Sequence, residues 1–215
     1  MSLFLAGPAG RLEAIVWRPL DGAAPRAAAV VCHPHPLFGG TMDNNVVFRV
    51  ARGLQHAGLA VLRFNFRGAG RSEGVHDGNG AEEGDVRAAL DYLEREFPGL
   101  PLWAAGFSFG SRTVGSLARY EPRIERVALV ALPSKAFDCT FVREIRQPTY
   151  VLLAEHDEFG TPQDFDERIG PLGNNFERDV IEGVEHFFRG KTPELEQRVK
   201  AWGLRSLGQP ANGQS

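Results

Sequence analysis

Five short, nearly unbroken apolar runs constrain this chain more than any other feature: AAAVVC (27–32), LAVLRFNF (59–66), LWAAGF (102–107), VALVAL (127–132) and TYVLLA (149–154). A strand with one face in water alternates apolar and polar residues. A strand covered on both faces does not need to, so continuous runs predict a parallel sheet sandwiched between helices. The segments between the runs have a helical rhythm. Val46, Val50 and Leu54 share a face that ends at Gly58 as a C′ residue. Asn79 and Glu82 make a capping-box-like start, followed by Val86, Leu90, Leu93 and Phe97 and closed by Pro98-Gly99. Pro193 opens a C-terminal helix that carries Leu195, Val199 and Trp202. At the other end, LFLAG and RLEAIVWRP flank a Gly-Pro-Ala-Gly turn and predict an antiparallel edge hairpin, while RDVIEGVE predicts a last strand. The expected fold is α/β: a doubly wound, mostly parallel sheet with an N-terminal antiparallel edge hairpin. With 215 residues, 43% of them hydrophobic, one domain over 1–207 is expected, with 208–215 as a disordered tail.

Several function classes are excluded at this level. Net charge is −3 and no basic block stands out, so there is no electrostatic footprint for nucleic acid. No apolar run approaches the length of a membrane span. MSLFLAGPAG lacks a charged n-region and a full apolar h-region, so a cytoplasmic protein is expected. Cys32 and Cys139 form no framework, and a disulfide between them is not expected.

Gly106-Phe107-Ser108-Phe109-Gly110 matches G-x-S-x-G, of which roughly a tenth of a match is expected by chance in this composition. Its setting adds weight: LWAA precedes it as a strand, and Ser111–Arg119 follows as a helix. A sharp strand-to-helix turn strains the serine and crowds the residues two away on each side, which then need to lack side chains. Serine needs an adjacent base to act as a nucleophile. In a sheet of this kind ligands bind beyond the carboxyl ends of the strands, and the acid and the histidine follow the serine in chain order. Two histidines remain. His186 lies after the last strand and is chosen as base, whereas His156 reads as a loop residue. Glu155, Asp157, Glu158 and Asp164 are the acid candidates; Asp157 is chosen, with Glu155 its main rival. An oxyanion hole needs two backbone donors. Phe109 supplies one as the residue after the nucleophile. The other falls in His33-Pro34-His35-Pro36-Leu37-Phe38-Gly39-Gly40, where the prolines have no N–H. Leu37 is chosen and His35 is the alternative, with the next helix beginning near Thr41 or Asp43.

The segments CHPHPLFGGTMDNNVV, RFNFRGAGRSEG, GFSFGS, AEHDE and VEHFFRG, in this order, resemble the α/β-hydrolase superfamily over nearly the whole chain. More closely they look like a group of small, cap-less bacterial predicted hydrolases related to the carboxylesterase and dienelactone-hydrolase branch. The resemblance implies a nucleophile at Ser108, an acid at Asp157 and a base at His186. It departs from the dienelactone enzymes, which use a cysteine where this chain has Ser108. Only a short loop fits between 132 and 149, where a cap often enters. An open site is therefore expected, lined by His35, Phe38, Phe109, Phe137 and Phe141. The expected function is hydrolysis of a small carboxylic ester or thioester through an acyl-enzyme. Acyl transfer, peptidase chemistry and a non-catalytic binding module are the alternatives. No cofactor is expected: Gly68-x-Gly70 puts its third glycine, Gly74, one position late for a dinucleotide turn. No metal is expected either, because His33 and His35 lack a third ligand at metal-like spacing, and His76 and Asp77 are near in number only.

Overall fold

The computed structural model describes residues 3–78 and 80–208. Eight strands form one sheet: β1 (Leu3–Gly7), β2 (Gly10–Trp17), β3 (Ala28–Cys32), β4 (Ala60–Phe64), β5 (Leu102–Phe107), β6 (Ile124–Val130), β7 (Thr149–Ala154) and β8 (Phe176–Ile181). Their spatial order is β1-β2-β4-β3-β5-β6-β7-β8. The pairs β1–β2 and β2–β4 are antiparallel, and all the others are parallel. The expected hairpin thus sits at one edge of an otherwise parallel sheet. All five apolar runs are strands, and β3, β4, β5 and β7 are buried along their full length.

Five helices cover the two faces: α1 (Asn45–His56), α2 (Glu82–Glu96), α3 (Phe109–Ala118), α4 (Pro162–Ile169) and α5 (Thr192–Leu207). Alternation along β3 shows how one strand serves both layers. Ala28, Val30 and Cys32 enter the core beneath α2 and α3, while Ala29 and Val31 enter the core beneath α1 and α5. Between β6 and β7 there is only a loop with one 3-10 turn (Thr140–Glu144), so no cap domain rises over the sheet.

Several elements differ from expectation. Helix α1 starts at Asn45, because the Asn44 side chain accepts from the Val46 and Val47 N–H groups and so caps it later than Thr41 or Asp43. Helix α2 starts at Glu82 with Ala81 at its N-cap and no side-chain cap; the expected partner Asn79 lies outside the described residues. Helix α4 was missed, although Thr161-Pro162-x-Asp164 carries its signal: the Thr161 side chain accepts from the Asp164 N–H, and the Asp164 carboxylate accepts from the Thr161 N–H. The expected tail lies outside the described residues beyond Gly208. Both cysteines are buried and free. Among the described residues, no helix is long and apolar enough to cross a membrane.

Candidate active site

The chain passes from β3 to β4 on one side and then returns to place β5 on the other side of β3. That reversal opens a crevice beyond the carboxyl ends of β3 and β5, where ligands bind in open α/β sheets. The loop after β3 and the turn after β5 therefore meet there.

Ser108 occupies the turn between β5 and α3 with φ 55° and ψ −120°. A residue with a Cβ at positive φ is strained, and such strain persists only where the surroundings enforce it. Here the Ser108 N–H donates to the Val130 carbonyl at 2.9 Å, and its own carbonyl accepts from the Ser111 hydroxyl at 2.6 Å. The flanking glycines are steric requirements. A Cβ on Gly106 would lie 2.2 Å from the Gly110 carbonyl oxygen, and one on Gly110 would lie 2.4 Å from that of Cys32. Among the described residues, the other non-glycine residues with positive φ, Ala131 and Phe188, lie in the loops after β6 and β8, on the same edge of the sheet.

The histidine and the acid come to this serine from two other strand ends. His186 Nε2 is 2.9 Å from Ser108 Oγ, and His186 Nδ1 is 2.8 and 2.7 Å from the two oxygens of Asp157. A carboxylate only accepts, so the proton sits on Nδ1, and Nε2 is left to accept from the serine hydroxyl. Asp157 is fully buried and also accepts from the Phe159 N–H at 2.9 Å. Glu155 points away, is exposed and accepts from the Gly183 N–H. His156 and Glu158 are exposed, and the Asp164 carboxylate is spent on capping α4.

A cavity of about 230 Å³ opens beside Ser108 and His186. Phe38, Phe109, Phe137 and His35 line it as expected. Phe141 does not: its ring packs against Gly115 and beneath the Arg119 guanidinium, at the edge of the core under α3. The sequence reading missed Phe159 and Phe187, which line the cavity and touch the His186 ring at 4.7 and 5.2 Å between centroids. Their signal was adjacency, two residues from Asp157 and one from His186.

The loop after β3 carries Leu37, the residue expected to give the second oxyanion donor. Its side chain is exposed, and its N–H donates to the His35 ring at 3.3 Å. The Phe38 and Gly40 N–H groups both donate to the His35 carbonyl. Among the described residues no protein group takes up the N–H of His35. The N–H of Phe109, in the first turn of α3, has no intrahelical partner. His33 staples this loop to the end of β4: its Nδ1–H donates to the Pro34 carbonyl, and its Nε2 accepts from the Phe66 N–H. Burial pushes the His33 imidazole down to about 4, against the pull of the Pro34 carbonyl. Burial also lowers His35, helped by the neighbouring His76 and opposed by Glu82. His76, set aside as a metal ligand by the sequence reading, packs against His35 at 4.7 Å between ring centroids.

Residues 30–141 match the family model described as the alpha/beta hydrolase fold. An uncharacterized protein of Rickettsia prowazekii is 32% identical over 206 residues, covering 92% of this chain and 86% of the relative. The chain belongs to the α/β-hydrolase fold family. A serine hydrolase homologue from Coxiella burnetii has 33% identity and a TM-score of 0.87, covering 94% of this α/β hydrolase and 96% of its own chain. A lidless serine hydrolase from Xanthomonas campestris has 31% identity and a TM-score of 0.87, covering 99% and 96%. Fold and neighbours together support hydrolase activity in general terms, without naming a substrate.

Proposed function

We propose that this α/β hydrolase cleaves small, uncharged carboxylic esters or thioesters through an acyl-enzyme on Ser108. The observation that carries the reading is the hydrogen-bonded line Ser108–His186–Asp157 beside an open, phenylalanine-lined cavity. His186 Nε2 takes the hydroxyl proton as Ser108 Oγ bonds to the acyl carbon. The carbonyl oxygen becomes an oxyanion and receives the N–H groups of Phe109 and His35, the former at the positive end of α3. His186 passes its proton to the leaving alkoxide or thiolate as the bond from the acyl carbon breaks. Water then attacks the acyl carbon while giving a proton to His186, and that proton returns to Ser108 as the acid departs. Asp157 holds the imidazole in the tautomer this requires and stabilises the imidazolium. The aromatic lining favours an apolar acyl group, and the missing cap leaves room for a leaving group to project into water.

The test is labelling with a fluorophosphonate, read by intact mass. The expected result is one adduct on the peptide containing Ser108, absent from Ser108→Ala. A folded wild type that takes no adduct would refute the reading.

A further inference from the structure

Beside the site lies a buried acid with no place in the mechanism above. Glu82, in the first turn of α2, is fully buried, and neither carboxylate oxygen has a hydrogen-bond partner among the described residues. What faces it is His76: Nδ1 lies 2.6 Å from Glu82 Oε1, close enough for an ion pair although not aligned as a hydrogen bond, and both side chains are nearly inaccessible. Burying a carboxylate with one partner is costly, and an apolar side chain would pack such a position more favourably. Favouring the positive end of α2 does not require it either, since Glu83 and Asp85 stand in the same turn.

The other face of His76 gives the pair a purpose. Its ring packs edge-on against His35 at 4.7 Å and against Phe109 at 5.5 Å, and His35 and Phe109 are in turn 4.9 Å apart. Phe66 closes on Phe109 from elsewhere in the cluster at 5.7 Å. Arg67, which follows β4, ties its own stretch of chain to the first turn of α2, its N–H and guanidinium both binding the buried Asp85. The two residues whose N–H groups face the oxyanion thus share one neighbour, and that neighbour is held by a buried acid.

Building on the function proposed above, we propose that His76 and Glu82 are positioning residues for the oxyanion-binding backbone: Glu82 fixes His76, and His76 fixes His35 and Phe109 against each other. Oxyanion donors act by being preorganised, so a loosened clamp lowers kcat and leaves ground-state binding intact.

The experiment measures hydrolysis of p-nitrophenyl butyrate by wild type, Glu82→Gln, His76→Ala, His76→Asn and the double variant Glu82→Gln/His76→Ala. Active sites are counted by fluorophosphonate titration, so that unfolded protein does not enter kcat. Each single variant is expected to lose at least about tenfold in kcat per titrated site with KM within about threefold, less than deleting a donor outright costs. The double variant is expected to lose no more than the worse single, because the two residues act as one unit. His76→Asn, which keeps an N–H for Glu82 but no ring for His35 and Phe109, is expected to lose kcat while melting near wild type. A merely structural role predicts lower melting temperatures with kcat per site unchanged, and that result overturns the proposal alone. A wild type that takes no label overturns it together with the function on which it rests.

Discussion

The two halves of the cleft are built by different means. On one side, Asp157 and His186 are set by side-chain hydrogen bonds of 2.7 to 2.9 Å, and under the proposed function each group is itself the reagent. On the other side, His35 and Phe109 offer backbone N–H groups whose direction depends on loop hydrogen bonds and ring packing. Chemistry carried by side chains leaves its residue types in the sequence. Chemistry carried by the backbone leaves only the packing that aims it. The first half should therefore fail abruptly on single substitutions, and the second by degrees.

The largest effect is expected at the residue both halves serve. Ser108→Ala should lower kcat by on the order of 10⁶-fold, leaving only what oxyanion binding and substrate positioning supply. Stopped assays of purified variant against a sensitive ester check this; retention of more than a thousandth of the wild-type rate would place the nucleophile elsewhere. Asp157→Asn comes next, with a loss of about 10⁴-fold, because an amide facing Nδ1 favours the wrong imidazole tautomer. Glu155→Gln provides the internal contrast and should stay within about twofold, since its exposed carboxylate meets the Gly183 N–H and the His156 ring and neither Ser108 nor His186. Equal losses in the two variants would mean that the acid side is not specified by one carboxylate.

This difference between the halves also explains what the sequence made legible. Ser108, His186 and Asp157 could be brought together from the sequence because the side chains suited to a nucleophile, a base and an acid are few, and strand ends restrict where they fall. The sheet was readable for a related reason: strands buried on both faces cannot hide their composition. The choice between His35 and Leu37 was not legible, because every residue except proline has an N–H, that of Leu37 included. Nothing in the string shows that the His35 ring at the head of a 3-10 turn takes up this one. Phe141 was misplaced because a phenylalanine near a site and a phenylalanine under a helix look alike until Gly115 reveals the gap it fills. Helix α4 is harder to read, since the Asp164 that completes its capping box is equally a candidate catalytic acid in the string.

The backbone half has its own test in acid. His33 is buried with one ring nitrogen donating and the other accepting, an arrangement that only the neutral imidazole provides. Its folded value of about 4 lies below the ordinary 6.5. Between these values the unfolded chain binds a proton that the native state refuses. The stabilisation is therefore complete above pH 6.5 and is lost as pH falls towards 4, by roughly 3 kcal/mol. Urea unfolding at a series of pH values should show this decline. An NMR titration should find the His33 ring still neutral at pH 5.5. A folded-state midpoint near 6.5 would show that the staple between the β3 loop and β4 tolerates charge and does not hold the oxyanion side rigid.

The smallest effect is expected at the rim, where the two halves give way to solvent. Phe38 lines the cavity, yet 86% of it is exposed, and its ring meets His35 at 4.9 Å between centroids. If it serves only as an apolar surface for the substrate, it binds ground state and transition state alike. Phe38→Ala should then raise KM by about threefold for an octanoyl ester, with kcat unchanged and with little effect on an acetyl ester. Steady-state kinetics on p-nitrophenyl acetate, butyrate and octanoate separate these terms. A fall in kcat that is equal for all three esters would instead count Phe38 with His35 and His76. The oxyanion half would then extend to the exposed tip of its loop, and the boundary between rigid reagent and adaptable mouth would lie one residue further out.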